Sequence, residues 1–324
     1  MMCFGLKDRK RVKTNYCVIV LLDDTQLVHE LHPSSSGQDL LDVVIKHLNL
    51  LETSYFGLKY YPSGSASRHQ YNGMAGGQQQ QSPYALGAPS GQSSNQNQQP
   101  VWLDMERSAI KQLRDISPMT VHFGVKYYAT DPCKLAEEIT RYQFFLQCKQ
   151  DILSGRLAVS FELAIELFGL AIQSELGDYD PSRHLENYAS EFQFVPHQTL
   201  ELEQRAALYH RQLVGQVPAT AELNFLEKVK WLDLYGCQLH LIQYDDGDPG
   251  SADLYALGLN PSGVLVLRNR LKVAQYLWSR IVKTKCQGRC FLMDVIDAAD
   301  SMEQQRQLNN GGLLTTANQI KRPP

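Results

Sequence analysis

The residue types that hold metal ions in proteins occur in this chain in two short clusters. Asp245, Asp246 and Asp248 lie close together and are of the type that calcium sites use. A calcium-binding loop also needs about twelve residues and a terminal glutamate, and this stretch has neither. Cys286 and Cys290 flank a predicted turn, but no Cys or His pair follows at zinc-site spacing. The sequence therefore predicts a solvated hairpin turn and free thiols here, and no metal ion.

Side chains that could act in catalysis also lack a supporting pattern. His184 lies near Asp180 and Glu186, but the sequence places no nucleophile beside it. The chain contains no glycine-rich phosphate loop, serine nucleophile elbow or His/Glu zinc motif. Asp178 and Asp180, in the motif GDYDP, are better suited to cap backbone N–H groups in a tight turn. We therefore expect a non-enzymatic protein that needs no cofactor.

Composition and charge exclude several classes of partner. Of the 324 residues 43% are hydrophobic, and the net charge of −3 gives no overall attraction to nucleic acid. No apolar run is long enough to cross a membrane. The seven cysteines are scattered, as is typical of free thiols in a reducing cytoplasm. Cys3 and the basic residues 7–11 suit an acylated membrane anchor, although a lone cysteine near a terminus is usually unmodified.

The first region of the chain has the pattern of a small sheet that packs on one helix. Its strands are predicted at 16–22, 26–31, 55–61 and 120–128, and its helix at 36–50. Residues 63–100, rich in Gly, Ser, Gln and Asn, interrupt this region. Such a composition buries too little apolar surface to order itself, so we expect a disordered insertion in a loop.

Two further regions follow, one helical and one built of strands. Asp131 and Pro132 are predicted to cap and begin the opening helix of the second region. Its buried stripe is predicted to comprise Leu135, Ile139, Tyr142, Leu146 and Leu153. From Gly236 onward, six short strands are predicted at 237–244, 254–259, 264–267, 273–278, 281–286 and 290–296.

Several motifs resemble one known family in a fixed order. EEITRYQFFLQ at 137–147 and QSELGDYD at 173–180 are similar to strings at the start of the helical lobe of a FERM domain. YFGLKYY at 55–61 and WLD at 102–104 resemble the first-lobe signature, split here by the insertion. The chain is thus identified as a member of the band 4.1 superfamily, with motifs similar to those of the band 4.1-like protein 4 group.

This resemblance implies an α+β, multi-lobed fold. The expected parts are a ubiquitin-like lobe at 14–129, an all-α bundle like acyl-CoA-binding protein at 130–235, and a PH/PTB-like β-sandwich at 236–296. The residues at 297–324 match neither the closing strand nor the C-terminal helix of that sandwich. We therefore expect an incomplete third lobe followed by a disordered tail.

The resemblance also implies two binding sites. Candidate phosphoinositide contacts are Lys59, Lys283, Lys285 and Arg289, although an ordinary solvated strand edge explains the same residues. The candidate strand of a peptide-binding groove contains Ile281, Val282, Thr284 and Cys286. With the C-terminal helix absent, one wall of that groove would be missing and an apolar sheet face would be exposed.

The function that follows is that of an adaptor linking cytoplasmic tails of membrane proteins, and phosphoinositides, to cytoskeletal proteins of the cell cortex. Its expected location is the cytoplasm, at the cytoskeleton and the cytoplasmic face of the plasma membrane or of cell junctions. Three alternatives stay open: a signalling scaffold for soluble regulators, a truncated isoform with impaired third-lobe peptide binding, and the regulatory module of an enzyme.

Overall fold

The computed structural model describes residues 15–62, 100–185, 187–242, 255–269, 271–287 and 290–296. The chain divides into two compact units, Met1–Leu232 and Asp233–Pro324. The predicted insertion, except Pro100, and the predicted tail lie outside the described residues, as do Arg289 and the aspartate cluster at 245–248. Within the described parts of the chain, no helix combines the length and hydrophobicity that a membrane span requires.

The first unit begins with a five-stranded sheet. Its strands lie in the order β2-β1-β5-β3-β4, and the β1–β5 pair is parallel whereas the others are antiparallel. The strands are β1 (Asn15–Val20), β2 (Gln26–Leu31), β3 (Phe56–Tyr60), β4 (Val101–Trp102) and β5 (Thr120–Val125). β4 pairs with β3 through Lys59–Trp102 and Tyr60–Val101, so the chain re-enters the sheet beside the point where it left.

Helix α1 (Gly37–Leu48) packs on this sheet as the sequence predicts. Ser36 and Asp39 form a capping box, in which each side chain accepts a hydrogen bond from the other residue's backbone N–H. Leu40 and Val44 on its inner face are fully buried. Asn49 ends the helix in the left-handed conformation, which an asparagine adopts at low cost.

The short helix α2 (Ala109–Leu113) follows β4 in the chain. The later helices of the first unit form a bundle: α3 (Glu138–Leu153), α4 (Phe161–Leu176), α5 (Leu200–His210) and α6 (Pro218–Val229). Helix α4 lies at the centre, in contact with α5 and α6, and α6 also packs on α3. Phe144, Phe168 and Phe225 are among the largest fully buried side chains.

The predicted start of the opening helix is wrong by six residues, because α3 begins at Glu138 and not at Pro132. Asp131 instead caps a 3₁₀ turn at Pro132–Lys134, where its carboxylate accepts the N–H of Cys133. Glu52, from the first sheet region, accepts hydrogen bonds from the N–H groups of Ala136 and Glu137, and α3 begins only after them. A contact distant in sequence therefore satisfies the donors that an earlier helix start would have used.

The predicted buried stripe of this helix is also incomplete. Leu135 and Leu146 are buried, but Ile139, Tyr142 and Leu153 are only half-buried. The deepest side chains of α3 include Phe144 and Cys148, both fully buried. Helix α3 packs against β5 on one side and α6 on the other, so burial extends around most of its circumference.

The second unit contains the six predicted strands. They are β6 (Gln238–Ile242), β7 (Tyr255–Asn260), β8 (Gly263–Arg268), β9 (Leu271–Leu277), β10 (Ile281–Gln287) and β11 (Cys290–Val295). The first four form an antiparallel sheet in chain order, and β10 and β11 form a separate antiparallel pair. At the β8–β9 hairpin, a Cβ on Gly263 would lie 2.0 Å from the carbonyl oxygen of Tyr276, so only glycine fits there. The mixed helix and strand content confirms the predicted α+β class.

Candidate functional site

The candidate site in the second unit is the β10–β11 hairpin. Its register pairs Lys283 with Asp294 and Lys285 with Leu292, and a bulge follows Ile281. Because alternate residues of a strand point to the same face, Lys283 and Lys285 lie on one face of β10. Both lysines are exposed. The hairpin therefore presents two adjacent ammonium groups to solvent, and Arg289, the third predicted cation of this region, lies outside the described residues.

The fourth predicted cation, Lys59, lies in the first unit and in a different environment. It is in β3, between Trp102 of β4 and His122 of β5, and only 8% of its surface is exposed. Burial, together with the positive charge of Arg156, lowers the pKa of its ammonium group to about 8. Lys59 is thus not presented at the surface in the way that Lys283 and Lys285 are, and its role in headgroup binding stays a prediction.

The predicted peptide-groove strand coincides with β10. Ile281 is half-buried, whereas Val282, at the bulge, is 67% exposed, and Thr284 and Cys286 are exposed. Among the described residues, β10 pairs with β11 alone, which leaves its other edge without a strand. A free edge offers backbone N–H and C=O groups to an added strand.

Apolar side chains are exposed across the described part of the second unit. Those more than two-fifths exposed are Leu239, Leu241, Leu271, Val273, Leu277, Trp278, Val282, Phe291 and Leu292. A two-stranded hairpin with both faces exposed is marginally stable by itself. This unit therefore has apolar surface available for a partner.

Two family models match the chain, the FERM N-terminal domain over residues 19–71 and the FERM central domain over residues 130–240. The chain belongs to the FERM family. Human Band 4.1-like protein 4A is 39% identical over 289 residues, which are 87% of this chain and 37% of that protein. These matches confirm the predicted membership of the band 4.1 superfamily.

The FERM chain is also similar to one further curated protein and to one solved structure. Human Tyrosine-protein phosphatase non-receptor type 4 is 35% identical over 289 residues, or 89% of this chain and 27% of the phosphatase. The FERM and C-terminal domain complex of Drosophila Merlin has a TM-score of 0.67 at 22% identity, and the match covers 88% of this chain and 87% of that chain. The FERM chain thus spans about a third of the length of the curated relatives named here.

The FERM chain also contains a buried polar junction that sequence reasoning missed. It joins the first sheet to α3. The Gln147 amide oxygen accepts the N–H of Val125 at 3.0 Å, and its nitrogen donates to Asp151 at 2.8 Å. Tyr128 donates its hydroxyl to Asp151 at 2.5 Å, and Arg156 pairs with the same carboxylate. The sequence signal was the Gln147–Asp151 spacing of four, which puts two polar groups on one buried helix face.

A second missed cluster brings metal-ligand types together without forming a metal site. Ligand atoms of Asp131, Cys133 and Glu227 lie within 4.8 Å of one another. The ammonium group of Lys230 already bonds to Asp131 at 2.9 Å and to Glu227 at 2.6 Å. Burial raises the pKa of the Cys133 thiol to about 12, so it is protonated at neutral pH. The ion pairs of Lys230 in this cluster join the 3₁₀ turn to the end of α6.

The predicted capping of a local turn is confirmed for Asp180, whereas Asp178 bonds to the backbone of a loop 37 residues away in sequence. Asp178 accepts the N–H of Gly215 at 2.9 Å and a hydrogen bond from Gln173, while Asp180 accepts the N–H and hydroxyl of Ser182. Asp178 thereby ties the end of α4 to the loop after α5. His184, beside which the sequence places no nucleophile, accepts the N–H of Asp180 at 2.9 Å.

A buried histidine lies next to this turn. Nε2 of His210 is 2.8 Å from the carbonyl oxygen of Gly177, and Nδ1 is 2.8 Å from the hydroxyl of Tyr188. His184 lies 6.0 Å away between ring centroids, and Asp178 and Arg211 are the nearby charges. Burial, the largest influence, lowers the pKa of His210 below its ordinary value of 6.5.

Acidification is therefore expected to destabilise the first unit through His210. Its pKa is lower in the folded than in the unfolded chain, so its contribution is complete above the unfolded value and is lost as the pH falls below it. Urea unfolding from about pH 7.5 to about pH 5.5 should show a smaller loss of stability in His210→Gln than in the wild type, by at most about 1.4 kcal/mol per pH unit. The exposed His47→Gln variant should keep the wild-type slope; an equal slope in His210→Gln would contradict the assignment.

Proposed function

We propose that this chain is a non-enzymatic FERM adaptor that links cytoplasmic tails of membrane proteins to the cortical cytoskeleton. The observation that carries the proposal is the β10 strand, which combines a free edge with two exposed lysines. Its place of action would be the cytoplasmic face of the plasma membrane or of cell junctions. The phosphatase activity named in one relative does not transfer, because the match covers only 27% of that protein.

The free edge of β10 supports peptide binding by strand addition. An extended tail peptide would make backbone hydrogen bonds along β10, and alternate side chains of the peptide would contact the sheet faces. Val282 exposes apolar surface on β10 itself and would contact an apolar side chain of the peptide. Phe291 and Leu292 expose apolar surface on β11, which pairs with the opposite edge of β10.

The exposed lysines support binding of a phosphoinositide headgroup beside the peptide. Lys283 and Lys285 lie on one face and are close enough together to contact one polyanionic headgroup. A basic residue near an anionic membrane surface contributes about 1 kcal/mol to binding. Two lysines alone give a weak interaction, so the membrane contact of this FERM chain would depend on both the lipid and the tail.

The test is cosedimentation with phosphatidylcholine vesicles that contain a minor fraction of phosphatidylinositol bisphosphate. We expect binding that the double variant Lys283→Glu/Lys285→Glu weakens by about 2 kcal/mol, or roughly 30-fold. The control Lys46→Glu reverses an exposed charge in the last turn of α1 and should bind like the wild type. Equal binding of all three proteins would reject the lysine pair as the lipid contact.

A second arm separates an adaptor from a scaffold that binds only soluble regulators. A panel of cytoplasmic-tail peptides is titrated by calorimetry, with amide hydrogen exchange measured along residues 281–287. The adaptor function predicts slower exchange in β10 with at least one tail peptide. Failure of every tail peptide, together with absence of vesicle binding, would favour the scaffold, whereas vesicle binding alone would favour impaired third-lobe peptide binding.

A further inference from the structure

A groove in the helical bundle lies far in sequence from the β10 hairpin. It consists of two cavities that share the segment at residues 191–193. The smaller, of about 180 Å³, lies between this segment and helices α3 and α4, and the larger, of about 700 Å³, lies on the side of α5. The larger volume is in the range of sites that accept several side chains of a ligand.

The floor of the smaller cavity is apolar and firmly held. Phe168 and Phe194 stack with ring centroids 5.1 Å apart, and Ile172 is buried beside them. Phe192 is half-buried and lines both cavities. Phe168, Phe194 and Ile172 are almost fully buried, so the accessible aromatic surface is that of Phe192, on which the methylene stem of a long side chain can pack.

The rim of the groove is acidic. Lys149, Glu175, Glu191 and Glu203 are the Lys, Arg, Asp and Glu residues that line it, and three carboxylates with one ammonium give a charge of −2. Lys149 already pairs with Glu175 across the smaller cavity. The larger cavity is lined by Glu191 and Glu203 and by no lysine or arginine. His197 also lines the larger cavity.

Gln198 holds the loop that shapes the larger cavity. Its amide oxygen accepts the N–H of Phe194 at 2.8 Å, and its nitrogen donates to the carbonyl of Phe192 at 2.7 Å. The same nitrogen donates to one carboxylate oxygen of Glu203 at 2.9 Å. Glu203 is thus positioned by a neutral donor, and its charge is not neutralised by that contact.

We propose that this groove docks a basic peptide segment of a partner protein. A lysine or arginine of the segment lays its methylene stem against Phe192 and directs its cation at Glu191 and Glu203. Charge complementarity selects this occupant, because an acidic peptide or an anionic lipid surface would be repelled by the same rim. The groove is a second partner site, independent of the hairpin to which the adaptor function is assigned.

Selection of a random peptide phage library on the full chain tests the proposal. Peptides enriched on the wild type, and not on the isosteric double variant Glu191→Gln/Glu203→Gln, should contain lysine or arginine beside an apolar residue. A synthetic peptide of that consensus should bind the double variant at least about tenfold more weakly, the loss expected when its cation loses both carboxylates.

Two control variants locate the effect. Glu201→Gln removes the same charge from an exposed position in the first turn of α5, outside the groove, and should bind the peptide like the wild type. Lys283→Glu/Lys285→Glu should also bind it normally, which separates this site from the proposed adaptor site. A consensus without basic residues, equal binding by the groove variant, or no enriched peptide would each overturn the proposal.

Discussion

Asp151→Ala is expected to lower the free energy of unfolding of the first unit by about 3 kcal/mol. Asp151 is 6% exposed and accepts hydrogen bonds from Tyr128 and Gln147 while it pairs with Arg156. Its removal leaves buried donors without acceptors, which costs more than the net value of the bonds themselves. Urea unfolding followed by far-ultraviolet circular dichroism measures this, since the α-helices of the described residues all lie in the first unit.

The matched control is Asp115→Ala. Asp115 also pairs with an arginine, Arg114, but the two side chains are 74% and 75% exposed. Solvent screens such a pair, so the change should alter stability by less than about 0.5 kcal/mol. Similar losses for Asp151→Ala and Asp115→Ala would show that the polar junction does not stabilise the contact between the first sheet and α3.

Phe225→Ala is expected to be at least as damaging, with a loss of about 3–5 kcal/mol. Phe225 on α6 is fully buried, and its ring centroid lies 4.9 Å from that of Phe145 on α3 and 6.3 Å from that of Phe194. Alanine would leave a cavity where three segments of the bundle meet. The midpoint of urea unfolding should fall, and the near-ultraviolet signal of the aromatic side chains should weaken.

The control is Leu223→Ala on the same helix, which introduces the same residue and so separates the effect of the cavity from that of helix propensity. Leu223 is 37% exposed, so its truncation removes less buried surface while it introduces the same residue. We expect a loss of about 1 kcal/mol or less. If Phe225→Ala cost no more than Leu223→Ala, Phe225 would not hold the bundle together in the way its contacts indicate.

Local patterns predicted those parts of the fold whose causes are local. The capping box of helix α1 lies within four residues of sequence. The six strands of the second unit were predicted from short runs of apolar residues that end at turn residues. The start of α3 was mispredicted because Glu52, more than eighty residues away in sequence, bonds to the N–H groups ahead of the helix. No local pattern can contain such a partner.

The candidate sites also differ in how far local sequence could predict them. Lys283 and Lys285 share a face of β10 because of their spacing of two, which the sequence displays. Lys59 is buried because β3 lies between β4 and β5. Both partner strands are distant from Lys59 in sequence, so the residues next to it in the chain do not indicate its burial. The acidic groove joins residues of α3, α4, α5 and the loop between α4 and α5, which are far apart in sequence.

The pairing of β3 with β4 has a consequence for how far the segment between them can vary in length. Tyr60 and Val101 are partners in the ladder, so the forty residues between them start and finish at adjacent points of the sheet. The free energy of closing a loop changes by only about 0.6 kcal/mol when its length doubles. A longer or shorter run of glutamines in this stretch is therefore expected to change the free energy of unfolding of the first unit very little.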